Sequence, residues 1–219
     1  MIISNEKKFI YLRVPKTGST SVSVYLYENL PLEDSIFRTA DRATYLDTDN
    51  YTIKPGYFDV TRPPKLPHYT HSTLQCAISA GLLKHDISEY DVYGVLRNPI
   101  ERFISFWSMT RVIEGNDVAT NFDVFKAYMR LFVNRSQTTW LKHNGTIINK
   151  LFLYEDVGDL VRDISAKYGV YNVDSFNQYR FRSYEKQDTV PKKVMDYIQF
   201  YWEEDFELYA NLKNSNPTK

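Results

Sequence analysis

The chain has 219 residues, 43% hydrophobic and 25% charged, the balance of an ordinary globular protein. Its 27 basic residues offset its 27 acidic ones, which argues against a nucleic-acid binder held by bulk charge. The single cysteine, Cys76, excludes an internal disulfide framework and a CxxC zinc site, and the four histidines form no HExxH pattern. At about 100–200 residues per domain, one domain over residues 1–219 is expected, able to bury a core without staples. No stretch reaches the roughly 18 apolar residues of a membrane span, and the N-terminus lacks the apolar run of a signal peptide. The expectation is a cytoplasmic protein without metal.

Lys8–Val14 (KFIYLRV) is rich in aromatic and β-branched residues and reads as a buried strand. It ends at Pro15, before a small, polar stretch. In residues 21–30, Val22, Val24 and Leu26 alternate as in a strand, while Val22, Leu26 and Leu30 recur every four residues as in a helix. Pro55, Pro63, Pro64 and Pro67 make long regular elements unexpected between Lys54 and His71. From Ser72, STLQCAISAGLL reads as a helix with Ser72 as N-cap and Gln75 completing a capping box.

Asp91–Leu96 (DVYGVL) is a second strand. Asn98 can cap the helix after it, with Pro99 at the first helical position and an end near Thr110. A helix is expected over Asn121–Val133, a third strand over Ile147–Tyr154, and a helix over Asp156–Lys167 that stops before Gly169. Pro191–Leu208 reads as one long aromatic-rich helix. Strands alternating with helices predict an α/β fold with a central, mainly parallel sheet flanked by helices.

Two clusters carry chemistry. Lys16-Thr17-Gly18-Ser19-Thr20-Ser21 lies directly after a strand and before the ambiguous segment. A loop there offers backbone N–H groups and a helix N-terminus to an anion, Gly18 allows close approach, Lys16 adds a positive charge, and four hydroxyls can donate. The lysine precedes the glycine, so the loop is neither GxxxxGK[ST] nor GxGxxG. A phosphate site here requires residues 20–30 to be a helix, because the helix dipole is part of the site. A plain polar turn with a surface lysine fits the same letters.

In the second cluster, Arg97 stands at the carboxyl end of the second strand and Ser105 two turns into the next helix. An arginine fork and a hydroxyl suit a second phosphate group. The alternative is an arginine paired with Glu101 and an incidental serine. Both clusters lie at strand carboxyl ends, which favours the phosphate reading.

The segments FIYLRVPKTGSTS and YGVLRNPIERFISFW resemble the 5′-phosphosulfate loop and the 3′-phosphate motif of sulfotransferases that use 3′-phosphoadenosine 5′-phosphosulfate (PAPS). The likeness extends to His71-Ser-Thr, NFDVF, Gln137 with Trp140, LFLYED and the terminal YWEEDFELYANL. Together these resemble the carbohydrate branch that includes heparan sulfate 2-O-sulfotransferase. With no membrane anchor or lumenal disulfides in the sequence, a bacterial or viral source is the more natural expectation.

The resemblance implies a P-loop-NTPase-like domain in which a hydroxyl, expected to be on a carbohydrate, attacks sulfur in line. It places Lys16 at the 5′-phosphate and bridging oxygen, Thr17, Gly18, Ser19, Thr20 and Ser21 around that phosphate, and Arg97 with Ser105 at the 3′-phosphate. It makes His71 the general base, with His68 and Glu101 as rivals. It also sets Arg182 and Ser183, between Arg180 and Lys186, in a loop closing over the nucleotide, with no metal required. The locally basic stretch of Arg62, Lys65, His68 and His71, with Tyr57, Phe58 and Tyr69 nearby, is a candidate acceptor wall or a plain surface loop. A P-loop-type kinase and a nucleotide- or glycan-binding module without turnover remain the rival functions.

Overall fold

The computed structural model describes residues 1–29, 36–37, 73–114, 136–169, 173–179 and 192–215. Its central sheet has the order β3-β1-β2-β4-β7, from β1 (Ile2–Ser4), β2 (Phe9–Tyr11), β3 (Ile36–Phe37), β4 (Asp91–Leu96) and β7 (Lys150–Leu153). β2 pairs parallel with β4, and β4 with β7, while β1 runs antiparallel to both β2 and β3. Four of the five strands therefore share one direction, as expected of a mainly parallel α/β sheet.

Strand alternation divides the core into two layers. Ile3, Ile10, Leu12, Val92 and Leu96 face one side, with Leu74 and Ala77 of α2 (Leu74–Ser79) and Trp140 and Leu141 of α4 (Thr138–Leu141). Ile2, Phe9, Tyr11, Tyr93 and Val95 face the other, with α1 (Ser19–Asn29) and α5 (Val157–Tyr168). A Cβ on Gly94 would come within 2.6 Å of both the Ile148 and Leu141 side chains, so the glycine in β4 makes room for the first layer.

The ambiguous segment is α1. Val22, Tyr25 and Leu26 are fully buried against Leu160 and Ile164, so the four-residue spacing prevails over the alternation. β4 falls on its expected residues, and α3 (Pro99–Glu114) starts at Pro99, with Asn98 Oδ1 accepting from the N–H groups of Ile100 and Glu101. α5 ends at Gly169 with φ +72, a left-handed C-cap.

Three expectations need correction. The cap of α2 is Thr73, whose hydroxyl accepts from the Cys76 N–H; Ser72 is one residue too early for that bond. The strand expected over Ile147–Tyr154 begins only at Lys150, because Ile147 closes a two-strand hairpin of β5 (Lys142–His143) and β6 (Thr146–Ile147). The single helix expected over Pro191–Leu208 is two, α6 (Lys192–Tyr201) and α7 (Glu203–Ser215), separated at Trp202. There the Trp202 side chain is buried and its carbonyl accepts from Asp205 and Phe206, which starts a new helix and carries Asp205 into the core. Strand β1 has no counterpart among the expected elements. At three residues it is too short for periodicity to register. The helix expected over Asn121–Val133 lies outside the described residues.

Candidate functional site

β2, β4 and β7 all deliver their chains to one edge of the sheet. Three turns meet there: residues 15–18 after β2, Arg97 and Asn98 after β4, and a 3₁₀ turn at Tyr154–Asp156 after β7. The crevice outside parallel strand ends is where α/β sheets hold ligands.

The first turn is shaped from within. The Thr17 hydroxyl donates to the Val14 carbonyl at 2.9 Å and the residue is fully buried, so it braces the loop from within. Lys16 and Gly18 both have left-handed backbone, φ +65 and +70. Lysine takes this conformation only when its surroundings hold it there. The Gly18 carbonyl accepts from Val22, opening α1. The Thr20 hydroxyl accepts from Arg13 Nη2 at 3.3 Å, Ser19 is buried, and Ser21 is half-buried on the first turn of α1.

Gly18 has a second reason beyond close approach of an anion. A Cβ there would lie 2.8 Å from Cε2 of Tyr154. The missing side chain is space occupied by an aromatic ring.

Arg97 joins the second turn to the first. Its Nη1 donates to the Lys16 carbonyl at 3.1 Å, and its guanidinium lies over the Tyr154 ring at 4.3 Å from the centroid. Its Nη2 is 3.5 Å from the half-exposed Glu101 carboxylate, so the Glu101 pairing weighed from sequence is present. Arg97 is only 8% exposed, and its buried Nε makes no hydrogen bond. Such a donor is costly until an acceptor reaches it. Ser105, two turns along α3, is half-buried.

Behind these turns lies a buried ion pair that sequence reasoning missed. Arg102, next to Glu101 in the sequence, faces Asp205 at 3.6 Å, with both side chains fully buried. Arg102 Nε donates to the Pro15 carbonyl at 3.1 Å, and its guanidinium lies over the Trp202 ring at 4.6 Å. Asp205 accepts from the backbone N–H groups of Gln137 and Thr138 at 2.7 and 3.0 Å. Burial lowers Arg102 to about 10, against the pull of Asp205, and leaves it charged at neutral pH. Burial likewise pushes the Asp205 carboxyl up, opposed by Arg102 and the two N–H groups. The Arg102 signal was readable only as a charge on an apolar helix face, with no indication of its partner.

The structure thus brings Lys16, Gly18 and Arg97 together, with Ser19, Thr20 and Ser21 opening the adjoining helix. His71, His68, Arg182 and Ser183, with Arg180, Lys186 and the basic stretch around residue 62, lie outside the described residues. Among the described residues no group of three His, Cys, Asp or Glu side chains could hold a metal ion, and no helix is long and apolar enough to cross a membrane.

The sequence matches the model of the sulfotransferase family over residues 1–210. No curated protein and no solved structure gives a significant match. The fold of that family is P-loop-like, in keeping with the strand, loop and helix that meet at the sheet edge. Because the match takes in all three strand-end turns and the helices that brace them, the chain belongs to the sulfotransferase family.

Proposed function

We propose that this protein transfers a sulfuryl group from PAPS to a hydroxyl, in a single domain spanning residues 1–219. The observation that carries the reading is the bond from Arg97 Nη1 to the Lys16 carbonyl. It sets the two turns side by side, an arrangement that suits a nucleotide with phosphates on both its 5′ and 3′ positions. The buried, unsatisfied Nε of Arg97 adds a donor that a phosphate oxygen would satisfy.

PAPS supplies the sulfuryl group and leaves as 3′-phosphoadenosine 5′-phosphate when the bond to its 5′-phosphate oxygen breaks. The N–H groups of residues 17–21 and the start of α1 hold the 5′-phosphate, with the Ser19, Thr20 and Ser21 hydroxyls at the same helix end. Lys16 contributes positive charge where negative charge develops on the departing oxygen. Arg97 and Ser105 take the 3′-phosphate, and Arg182 with Ser183 closes over the nucleotide. His71 accepts the proton of the attacking hydroxyl, a task suited to an imidazole near neutral pH. The acceptor is proposed to be a carbohydrate, on the likeness of the sequence to that branch. A cytoplasmic location is proposed because a single cysteine suits a reducing compartment.

Titration calorimetry with 3′-phosphoadenosine 5′-phosphate, ADP and ATP, with and without Mg²⁺, tests the donor site. Tight, metal-independent binding of the first and weak binding of the others is expected. Arg97→Ala should weaken the 3′-phosphorylated nucleotide far more than one lacking that phosphate. Preference for ATP with Mg²⁺ would overturn the reading in favour of a kinase.

A further inference from the structure

We propose that Tyr154 is a positioning residue that couples the two phosphate-binding turns, an inference that rests on the nucleotide site proposed above. One aromatic ring serves both turns. Its face carries the Arg97 guanidinium, 4.3 Å from the centroid, and its Cε2 fills the space that a side chain at Gly18 would need. The same arginine holds the carbonyl of Lys16, whose φ of +65 an unconstrained lysine rarely adopts. The ring, the guanidinium and the loop therefore form a closed circuit: Tyr154 to Gly18, two residues back along the chain to Lys16, then Arg97, and back to Tyr154.

The ring itself is anchored. Tyr154 follows β7 directly and packs against the core layer that contains Tyr93 and Val95. It is a fixed surface rather than a mobile cover. Arg97 needs such a surface because its remaining partners are few: one carbonyl and one half-exposed carboxylate, with Nε unmatched. A guanidinium held over an aromatic face keeps N–H donors for an anion while losing little rotational freedom. Tyr154 thereby sets the plane of the Arg97 fork and, through the Lys16 carbonyl, the conformation of the loop that meets the 5′-phosphate.

Only the ring makes these contacts, so its chemistry can be separated from its hydroxyl. Tyr154→Leu, which removes the aromatic face, should weaken 3′-phosphoadenosine 5′-phosphate roughly tenfold, the order expected of a desolvated cation–π contact. Tyr154→Phe should restore affinity to within about twofold of the original protein, since a phenyl ring retains the face.

The coupling is read from a double-mutant cycle with Arg97→Ala, measured by calorimetry with 3′-phosphoadenosine 5′-phosphate. Tyr154→Leu should cost little once the guanidinium is gone. A merely structural role would instead give the same fold-loss in both backgrounds, and that additivity would overturn the proposal. So would a Tyr154→Phe protein as weak as Tyr154→Leu, a result that stays informative if the leucine variant folds poorly. Failure of the original protein to bind the nucleotide would remove the donor-site reading and this inference together. Nucleotide binding with an additive cycle would remove the inference alone.

Discussion

Gln137 clamps the backbone of Arg97 from both sides: its Oε1 accepts from the Arg97 N–H at 2.9 Å and its Nε2 donates to the Arg97 carbonyl at 2.8 Å. Gln137 is itself held by Asp205 through its own N–H, and Asp205 is paired with Arg102, which reaches the Pro15 carbonyl. One buried chain of polar contacts thus runs from α7 to the turn after β4 and to the turn after β2. Both of those turns are tied to the brace from within the core. A site made of turns gains rigidity that turns alone do not have.

The brace predicts an asymmetry in stability. Asp205→Ala leaves Arg102 buried without its counter-charge and the Gln137 and Thr138 N–H groups without an acceptor, so it should cost about 3–5 kcal/mol. Adding Arg102→Met to Asp205→Ala should recover part of that loss, because the stranded charge goes with it. Urea unfolding of the two variants measures the difference. A double variant less stable than Asp205→Ala would mean that the pair is not the source of the cost.

Lys16 predicts a separation of stability from turnover. Its left-handed backbone is strained for any residue with a Cβ, at about 1–2 kcal/mol. Glycine escapes that strain but loses more entropy on folding. Lys16→Gly should therefore be about 1 kcal/mol more stable than Lys16→Ala. Both variants lack the charge assigned to the departing oxygen, and both should lose about 3 kcal/mol of transition-state stabilisation. Thermal melts and steady-state sulfuryl transfer test the two halves independently. An alanine variant as stable as the glycine one would show that the strain is not felt, and unchanged kcat in either would remove Lys16 from its role.

At the opposite edge of the sheet, Asp91 gives a pH prediction. Burial pushes its carboxyl up, but hydrogen bonds from Lys167 and Tyr168 outweigh that and hold it below the ordinary aspartate range. A carboxylate with a lowered folded pKa contributes stability above its unfolded pKa of about 4, and the contribution fades as pH falls through the folded value. Asp91→Asn should thus cost roughly 1 kcal/mol at pH 7, and the gap from the original protein should narrow below about pH 4. Urea midpoints at several pH values report it. A gap that widened in acid would reverse the assigned direction.

How much of this was legible depended on whether the signal was local. β4, the Asn98–Pro99 helix start and the Gly169 stop are fixed by neighbouring residues, and they lie where the sequence puts them. The meeting of the Lys16 and Arg97 clusters was legible because both follow strands of one parallel sheet, which forces them to the same edge. What sequence could not reveal is contact across the chain. Nothing near Arg102 in the sequence points to Asp205, which enters the core only through the break at Trp202. Gly18 reads as an anion-approach glycine, and only the tertiary fold reveals that Tyr154 occupies its side-chain space. No glycine or proline marks the α6–α7 break, so aromatic burial sets it where punctuation was expected.

Glu101 supplies the last prediction. Its carboxylate lies 3.5 Å from Arg97 Nη2, one turn along α3, and is half-exposed. In that position it competes for the guanidinium with any incoming phosphate and repels the phosphate's charge. Glu101→Gln removes both effects while keeping the side-chain shape, so the affinity for 3′-phosphoadenosine 5′-phosphate should rise about two- to threefold, the modest range of an exposed ion pair. The gain should shrink as salt rises, because an exposed charge is screened. A nucleotide lacking the 3′-phosphate should gain much less. Calorimetry at two salt concentrations with both nucleotides resolves the outcome. A loss of affinity in Glu101→Gln would mean that the carboxylate orients Arg97 for the phosphate, and the competitor role would fall.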